Sequence, residues 1–225
     1  MDLIFGLWNE SLKDWEDEVK RAARLPVTHI SCYSLSYEKN TPLFLALSNK
    51  SLCLIEDDIS AAMYESSIDA LSLNGFKQYE VSNFAEAGFE CRHNLNYWEN
   101  GPYTGIGASA VSYIDGRREK NTSDVAEYIK RMRCPGSIIE SSEKLSPLRR
   151  AKETAAVKIR TKEGIDFARF LERTGFDFMK LEGRIVEKLL AEELIKYVKR
   201  ENIPVGIALK RKGFLHCDTV SSAFL

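Results

Sequence analysis

The first 84 residues alternate between two hydrophobic patterns, and this alternation restricts the possible folds more than any other feature of the sequence. Short apolar runs are separated by longer segments whose apolar residues recur at helical spacing. Strands and helices that alternate in this way are typical of a parallel α/β sheet with helical crossovers. The predicted order is strand, helix, strand, helix, strand, over residues 2–7, 9–24, 27–37, 57–73 and 77–84. Asp57 or Asp58 is predicted to cap the second helix.

The pattern changes near residue 120, and we predict two domains, residues 1–121 and 122–225. Asp115-Gly116 lies between two strand-like segments and predicts a hairpin. Beyond it, charged helical patterns dominate and are followed by two segments that can pair across a short turn. This arrangement resembles a winged helix. The predicted helices are 147–160, 166–174, 184–193 and 213–223, and the paired strands are 195–198 and 204–209.

Composition and charge exclude several classes of protein. Hydrophobic residues make up 44% of the chain and charged residues 29%, as in ordinary globular proteins. The net charge of −1 gives no overall attraction for nucleic acids or anionic membranes. No run approaches the roughly 20 apolar residues of a membrane span, and the N-terminus lacks the pattern of a signal peptide. A cytoplasmic protein without a membrane span is therefore expected.

The five cysteines are too far apart in sequence to form a C-x-x-C pair. They predict free thiols in a reducing compartment, with no local iron–sulfur or zinc cluster.

Residues 90–98 contain the densest cluster of chemically distinctive side chains, which we predict to lie in a loop after the third strand. Imidazole can ligate heme iron, two aromatic rings can cover a flat apolar molecule, and a guanidinium can hold a carboxylate. This set suits a porphyrin. The alternative is a surface loop that Trp98 anchors to the core. The cluster includes Cys91, Arg92, His93, Tyr97 and Trp98. His29 and His216 have no such neighbours and are predicted to be structural.

Three further features have alternative interpretations. Gly105-Ile106-Gly107 fits part of a dinucleotide-binding pattern but lacks its strand and helix, which favours close backbone packing instead. Glu80 lies in a strand-like run, where it can face a ligand or solvent equally well. Six bases lie in or beside the wing, but interleaved glutamates favour a mixed-charge surface over a nucleic-acid site. These bases are Lys196, Lys199, Arg200, Lys210, Arg211 and Lys212.

Several of these segments resemble the radical SAM family of oxygen-independent coproporphyrinogen III oxidase-like proteins. Residues 2–7 resemble its D-L-I-Y-G-L-P strand, and residues 79–85 are similar to its Y-E-I-S-N-F-A strand. Residues 93–98 match the H-N-x-x-Y-W motif of its HemW heme-chaperone branch, and the glycine pair follows at the usual place. The resemblance extends over the whole chain. This sequence departs from the family pattern at Trp8, where proline is usual, and at Val111, where many members carry histidine.

The resemblance implies the C-terminal part of a radical SAM partial (β/α) barrel, followed by a mostly helical, winged-helix-like domain. It also implies heme, S-adenosylmethionine and a [4Fe–4S] cluster. The C-x-x-x-C-x-x-C loop that holds the cluster belongs to the family's N-terminal half, and this sequence contains no such motif. The chain therefore looks like the C-terminal half of a longer protein, through a truncated gene model, a split gene or a genuine shortened product. We predict that it cannot cleave S-adenosylmethionine alone.

Carried over by position, His93 is expected to ligate heme iron, with Tyr97 and Trp98 covering the macrocycle. Cys91 is the rival ligand. Asp2 is expected to approach the ribose of S-adenosylmethionine, with Gly6 at the same end of the strand.

Three functions follow from these expectations. The leading one is a HemW-like chaperone that binds heme and delivers it to an acceptor protein. The enzyme alternative is oxygen-independent coproporphyrinogen III oxidase of porphyrin biosynthesis, which decarboxylates two propionates. The third is a nucleic-acid-binding winged helix.

Overall fold

The computed structural model divides the chain into two units, Met1–Cys91 and Arg92–Leu225. It describes residues 1–49, 51–134 and 136–225. The predicted domain boundary between residues 121 and 122 falls inside the second unit. That boundary stays a prediction, because a spatial unit and an inherited domain need not end at the same residue.

The sheet of the first unit has the strand order β1-β2-β4-β3. β1 and β2 are parallel, with Asp2 opposite Ser31, whereas β4 is antiparallel to both β2 and β3. The expectation of a wholly parallel sheet is therefore wrong beyond the first pair. The elements are β1 (Asp2–Phe5), α1 (Leu12–Ala22), β2 (His29–Ser34), α2 (Pro42–Ser48), α3 (Asp57–Leu73), β3 (Lys77–Gln78) and β4 (Asn83–Ala85).

Glu80 explains why residues 77–84 form two short strands rather than the predicted single strand. Its side chain is fully buried, and its carboxylate accepts a hydrogen bond from the Ser82 amide at 3.2 Å. The Tyr79 amide donates to the Asn83 carbonyl at 3.1 Å. These local bonds reverse the chain, so that Lys77 lies opposite Ala85. The solvent-facing interpretation of Glu80 is therefore wrong.

The core of the first unit forms around Trp15, where α1 packs against α3. The Trp15 ring is completely buried, and its centroid lies 5.4 Å from that of Phe5. Its indole N–H donates to the Met63 carbonyl and to the Ser67 hydroxyl, each at 2.9 Å. The polar group of this large side chain is thus satisfied inside the core.

The two longer helices of this unit begin in different ways. Ser11 and Asp14 form a reciprocal capping box at the start of α1. At α3 the N-cap is Glu56, which makes no side-chain cap. The predicted cap at Asp57 or Asp58 is therefore wrong, although both carboxylates lie in the first turn, where the helix dipole favours negative charge.

In the described part of the second unit, two antiparallel sheets have the orders β5-β6-β7 and β8-β10-β9. A helix occupies residues 92–98, where we predicted a loop, and α8 begins six residues earlier than predicted. The C-terminal helix is divided at His216. The elements are α4 (Arg92–Trp98), β5 (Val111–Ile114), β6 (Arg117–Asn121), α5 (Val125–Arg133), β7 (Ile139–Lys144), α6 (Pro147–Lys158), β8 (Ile165–Asp166), α7 (Phe167–Thr174), α8 (Phe178–Ala191), β9 (Ile195–Arg200), β10 (Ile203–Leu209), α9 (Arg211–Leu215) and α10 (Cys217–Ser222).

The β5–β6 hairpin confirms the Asp115-Gly116 turn. Both residues have positive φ, 50° and 75°, as a two-residue type I′ turn requires. The turn sets Ile114 opposite Arg117 and so fixes the register of the hairpin.

The winged-helix arrangement appears in the order α6-β8-α7-α8-β9-β10, in which β10 pairs with β8 on one side and β9 on the other. Ser146 caps α6 and Gly175 ends α7 in the left-handed conformation, both as predicted. Phe178 and Phe224 are buried between these elements. No helix in the described residues has the length and hydropathy of a membrane span.

Candidate functional site

Helix α4 sets the rings of His93 and Tyr97 side by side. Residues four positions apart share one face of a helix. The two ring centroids are 4.8 Å apart, and the ring planes meet at 86°. Both side chains are exposed. The imidazole is therefore open to a ligand from solvent. The predicted loop did not imply the contact between His93 and Tyr97, which depends on helical spacing.

A pocket of about 330 Å³ lies beside α4 in the second unit. The motif contributes Tyr97 and Trp98 to its wall, as well as Asn94. His93 does not line the pocket, but its ring contacts Tyr97, which does. The structure thus brings Tyr97 and Trp98 together in one cavity, with the imidazole beside it.

Tyr103 continues the aromatic wall. Its ring centroid lies 4.7 Å from that of Tyr97 and 6.1 Å from that of Tyr113. The backbones of Tyr103 and Tyr113 exchange two hydrogen bonds, of 2.9 and 2.8 Å. Because the sheet fixes the Tyr103 backbone, this side of the pocket is preorganised for a flat apolar ligand.

The turn after α4 depends on Asn96 and Gly101. The Asn96 amide side chain donates to the Pro102 carbonyl at 3.0 Å, and the Gly101 amide donates to the Asn96 carbonyl at 2.8 Å. A Cβ at Gly101 would lie 2.2 Å from Asn96 Oδ1. A side chain at this position would displace the Asn96 amide that holds the turn, and the turn returns the chain so that Tyr103 lies against Tyr97.

Gly105 is where the glycine-pair segment passes closest to another part of the backbone. A Cβ on Gly105 would lie 2.4 Å from the Val111 carbonyl oxygen, and strand β5 follows instead of a helix. This confirms close backbone packing and contradicts a dinucleotide-binding loop.

Trp98 is half-buried, and the Arg160 guanidinium lies 5.4 Å from its ring centroid. Its buried indole N–H has no hydrogen-bond partner in the described structure. An unmet buried donor carries an energetic cost.

Arg118 and Glu153 also line the pocket, and the sequence analysis missed both. Arg118 Nη2 donates to Glu153 Oε1 at 2.7 Å, and the guanidinium lies 5.6 Å from the Tyr113 ring centroid. This hydrogen bond raises the pKa of Arg118 above its ordinary value. No local signal marks either residue, since they are 35 positions apart and come from β6 and α6.

In the first unit, Asp2 and Gly6 lie at opposite ends of β1, not at the same end as expected. Asp2 is exposed and opens the strand, while Gly6 is buried, follows its last residue and has a φ of 84°. At about 3.3 Å per residue, the strand separates them by roughly 13 Å. The Gly6 amide donates to Glu10 Oε2 at 2.8 Å. Their assignment to S-adenosylmethionine stays a prediction.

The other two histidines lie elsewhere. His29 is half-buried on β2, with Nε2 2.8 Å from the Tyr79 hydroxyl, and burial lowers its pKa. His216 is exposed between α9 and α10.

None of the five cysteines forms a disulfide. Burial raises the pKa of Cys32 to about 12, so this thiol stays protonated and inert. Among the described residues, no group of three or more His, Cys, Asp or Glu side chains is arranged to hold a metal ion. The residues of this chain therefore do not fit a [4Fe–4S] cluster, which needs several convergent thiolates.

Comparison with known proteins places these features in a family context. No family model matches the chain. It is 34% identical over all 225 residues to the heme chaperone HemW of Lactococcus lactis, and 32% identical over the same length to that of Bacillus subtilis. The chain is homologous over its whole length to the C-terminal part of HemW proteins. It spans 58% of the length of each of these two HemW relatives.

A more distant relative is the mitochondrial radical S-adenosyl methionine domain-containing protein 1 of Danio rerio, 31% identical over 173 residues. That match covers 73% of this chain and 39% of the relative.

Among solved structures, the fold resembles coproporphyrinogen III oxidase (HemN) from Escherichia coli, described as a radical SAM enzyme. The TM-score is 0.76 over 99% of this chain and 54% of the oxidase, at 15% identity. Similarity at this identity establishes the fold alone. It confirms the predicted fold class, an α/β fold that matches part of the HemN fold.

Proposed function

We propose that this chain binds heme and that, within a HemW-like protein, it delivers the heme to an acceptor protein. The observation that carries the proposal is the exposed imidazole of His93, held perpendicular to Tyr97 beside an aromatic pocket. The names of the HemW relatives support it. A cytoplasmic location belongs to the same proposal.

The ring geometry suits a macrocycle. The His93 and Tyr97 rings lie 4.8 Å apart at 86°, so an imidazole and an aromatic face are offered side by side. His93 would hold the iron through an imidazole nitrogen, while Tyr97 and Trp98 would supply apolar surface.

Absorption spectroscopy with heme titrated into wild type, His93→Ala and Cys91→Ala tests the assignment. Imidazole-ligated and thiolate-ligated ferric heme have different spectra. We expect His93→Ala to weaken binding and shift the spectrum, and Cys91→Ala to change neither. Unchanged affinity and spectrum in His93→Ala would contradict His93 as the ligand.

We propose that the chemistry of S-adenosylmethionine and the iron–sulfur cluster takes place in the longer, HemW-like proteins. Bound there, S-adenosylmethionine would supply a carbon radical, and we propose Asp2 and Gly6 as its contacts. This chain's cysteines do not fit the cluster, so we expect no reductive cleavage by the chain alone. Formation of 5′-deoxyadenosine by the purified, iron–sulfur-reconstituted chain would contradict this expectation.

Two alternatives have some support. The fold of HemN favours coproporphyrinogen oxidation, whereas the H-N-x-x-Y-W motif favours the chaperone. The winged-helix order favours nucleic-acid binding, but Lys210 and Arg200 of the basic group lie 3.2 and 3.7 Å from Glu193 and Asp166. A salt-sensitive DNA mobility shift by the chain would support that alternative.

A further inference from the structure

Arg118 is the only positively charged side chain among the described residues that line the aromatic pocket. We propose that Arg118 binds a carboxylate of the ligand, so that the pocket selects flat aromatic molecules that carry this group. The inference rests on the proposed heme function, where the carboxylate is a propionate of heme.

The guanidinium retains hydrogen-bonding capacity for such a group. A guanidinium has five N–H donors in a planar fork. Nη2 donates to Glu153 Oε1 at 2.7 Å, but Nη1 lies 3.7 Å from Glu143 Oε2, beyond hydrogen-bond distance. The contact with Glu153 shows that a carboxylate can reach this cation. Arg118 is also partly exposed, at 34% of its side-chain surface, so a ligand can approach it.

The aromatic rings beside Arg118 suit a flat ligand. A wall formed by Tyr97 and Tyr103, with the Arg118 guanidinium in the same lining, matches a molecule with a flat apolar body and an anionic group at its rim. Arginine is well suited to this role, because it binds carboxylates in a fixed geometry and stacks on aromatic rings.

Two other cations near pocket residues already have partners. Arg160 lies over the Trp98 ring and pairs with Asp218 at 2.5 Å, and Lys158, next in sequence to the lining residue Val157, pairs with Glu99. Neither lines the pocket. The ligand's carboxylate is therefore assigned to Arg118.

The test compares heme with heme dimethyl ester, whose propionates are neutral, in equilibrium titrations. Wild type is expected to bind heme about 10- to 100-fold more tightly than the ester, the range for a hydrogen bond to a charged group. Arg118→Gln is expected to lose this preference and to bind the ester like wild type. Because His93 is intact, heme bound to the variant is expected to keep the wild-type spectrum.

Arg117→Gln is the matched control. Arg117 precedes Arg118 on β6, points to the other side of the strand and is 55% exposed. The Arg117→Gln variant loses one positive charge, as Arg118→Gln does, and it is expected to retain the full preference for heme over the ester. Arg118→Gln leaves the half-buried Glu153 without its ion pair, so Arg118→Gln/Glu153→Gln is measured beside it. The two amides can hydrogen-bond, and the same selective loss is expected.

Equal affinity of wild type for heme and its ester would overturn the role of Arg118 and leave heme binding intact. An equal loss for both ligands in the Arg118 variants, or a loss of preference in Arg117→Gln, would also overturn it. Failure of wild type to bind either ligand would overturn the proposed function together with this inference.

Discussion

Replacing Gly105 with alanine tests how the segment after α4 holds Tyr103 in the pocket wall. The new methyl group would lie 2.4 Å from the Val111 carbonyl oxygen and 2.7 Å from two more backbone atoms of Val111. Contacts this short force the backbone at residue 105 to move. The movement lengthens the 2.9 Å hydrogen bond that the Gly105 amide donates to Ser112 Oγ. Overpacking of this kind costs about 1–3 kcal/mol.

For a chain of this size, each kcal/mol lowers Tm by roughly 2–4 °C, so a decrease of about 2–12 °C is expected. Heme affinity is expected to fall as well, because Tyr103 is two residues from the displaced atom and lines the pocket. Circular dichroism during heating and heme titration measure the two effects.

Gly183→Ala, in the middle of α8, is the control for the same chemical change. Its Cβ would meet only Met179 Cε, at 3.9 Å. Alanine is preferred over glycine inside a helix by about 1 kcal/mol, so this variant is expected to be more stable than wild type. If Gly105→Ala matched wild type in Tm, the reasoning that the Val111 backbone confines this position would be refuted.

Two further predictions concern titratable groups. Burial of Glu182 raises its pKa although Lys152 Nζ lies 3.7 Å from it, so folding favours the protonated form. Glu182→Gln is expected to stabilise the protein by about 1 kcal/mol at pH 7. The gain should shrink as the pH falls and vanish well below the ordinary pKa of 4.5, where the carboxyl is protonated in both states. Urea unfolding at several pH values measures this, and destabilisation at pH 7 would show that the ion pair dominates. A thiol reagent is expected to label native Cys53 and Cys134, but Cys32 and Cys217 only after unfolding. Mass spectrometry locates the label, and rapid labelling of native Cys32 would contradict its burial.

The sequence by itself determined the features that depend on neighbouring residues. Asp115-Gly116 specifies its hairpin because a type I′ turn needs two residues that tolerate positive φ. Ser146 and Gly175 mark helix ends because their caps are satisfied within a few positions. The H-N-x-x-Y-W segment likewise predicted the similarity to HemW proteins, which the comparisons confirm, and the site it predicts at α4 stays a prediction.

Only the tertiary structure decided which way β4 runs, whether residues 92–98 are helical, and which side chains join the motif. Short apolar segments do not encode strand direction, since the same pattern of buried residues suits either orientation. Arg118 and Glu153 meet in the pocket because the β5–β6 hairpin and α6 bring together positions 35 residues apart. The carboxylate-binding group proposed here could not be found from sequence, because its position depends on packing between distant segments.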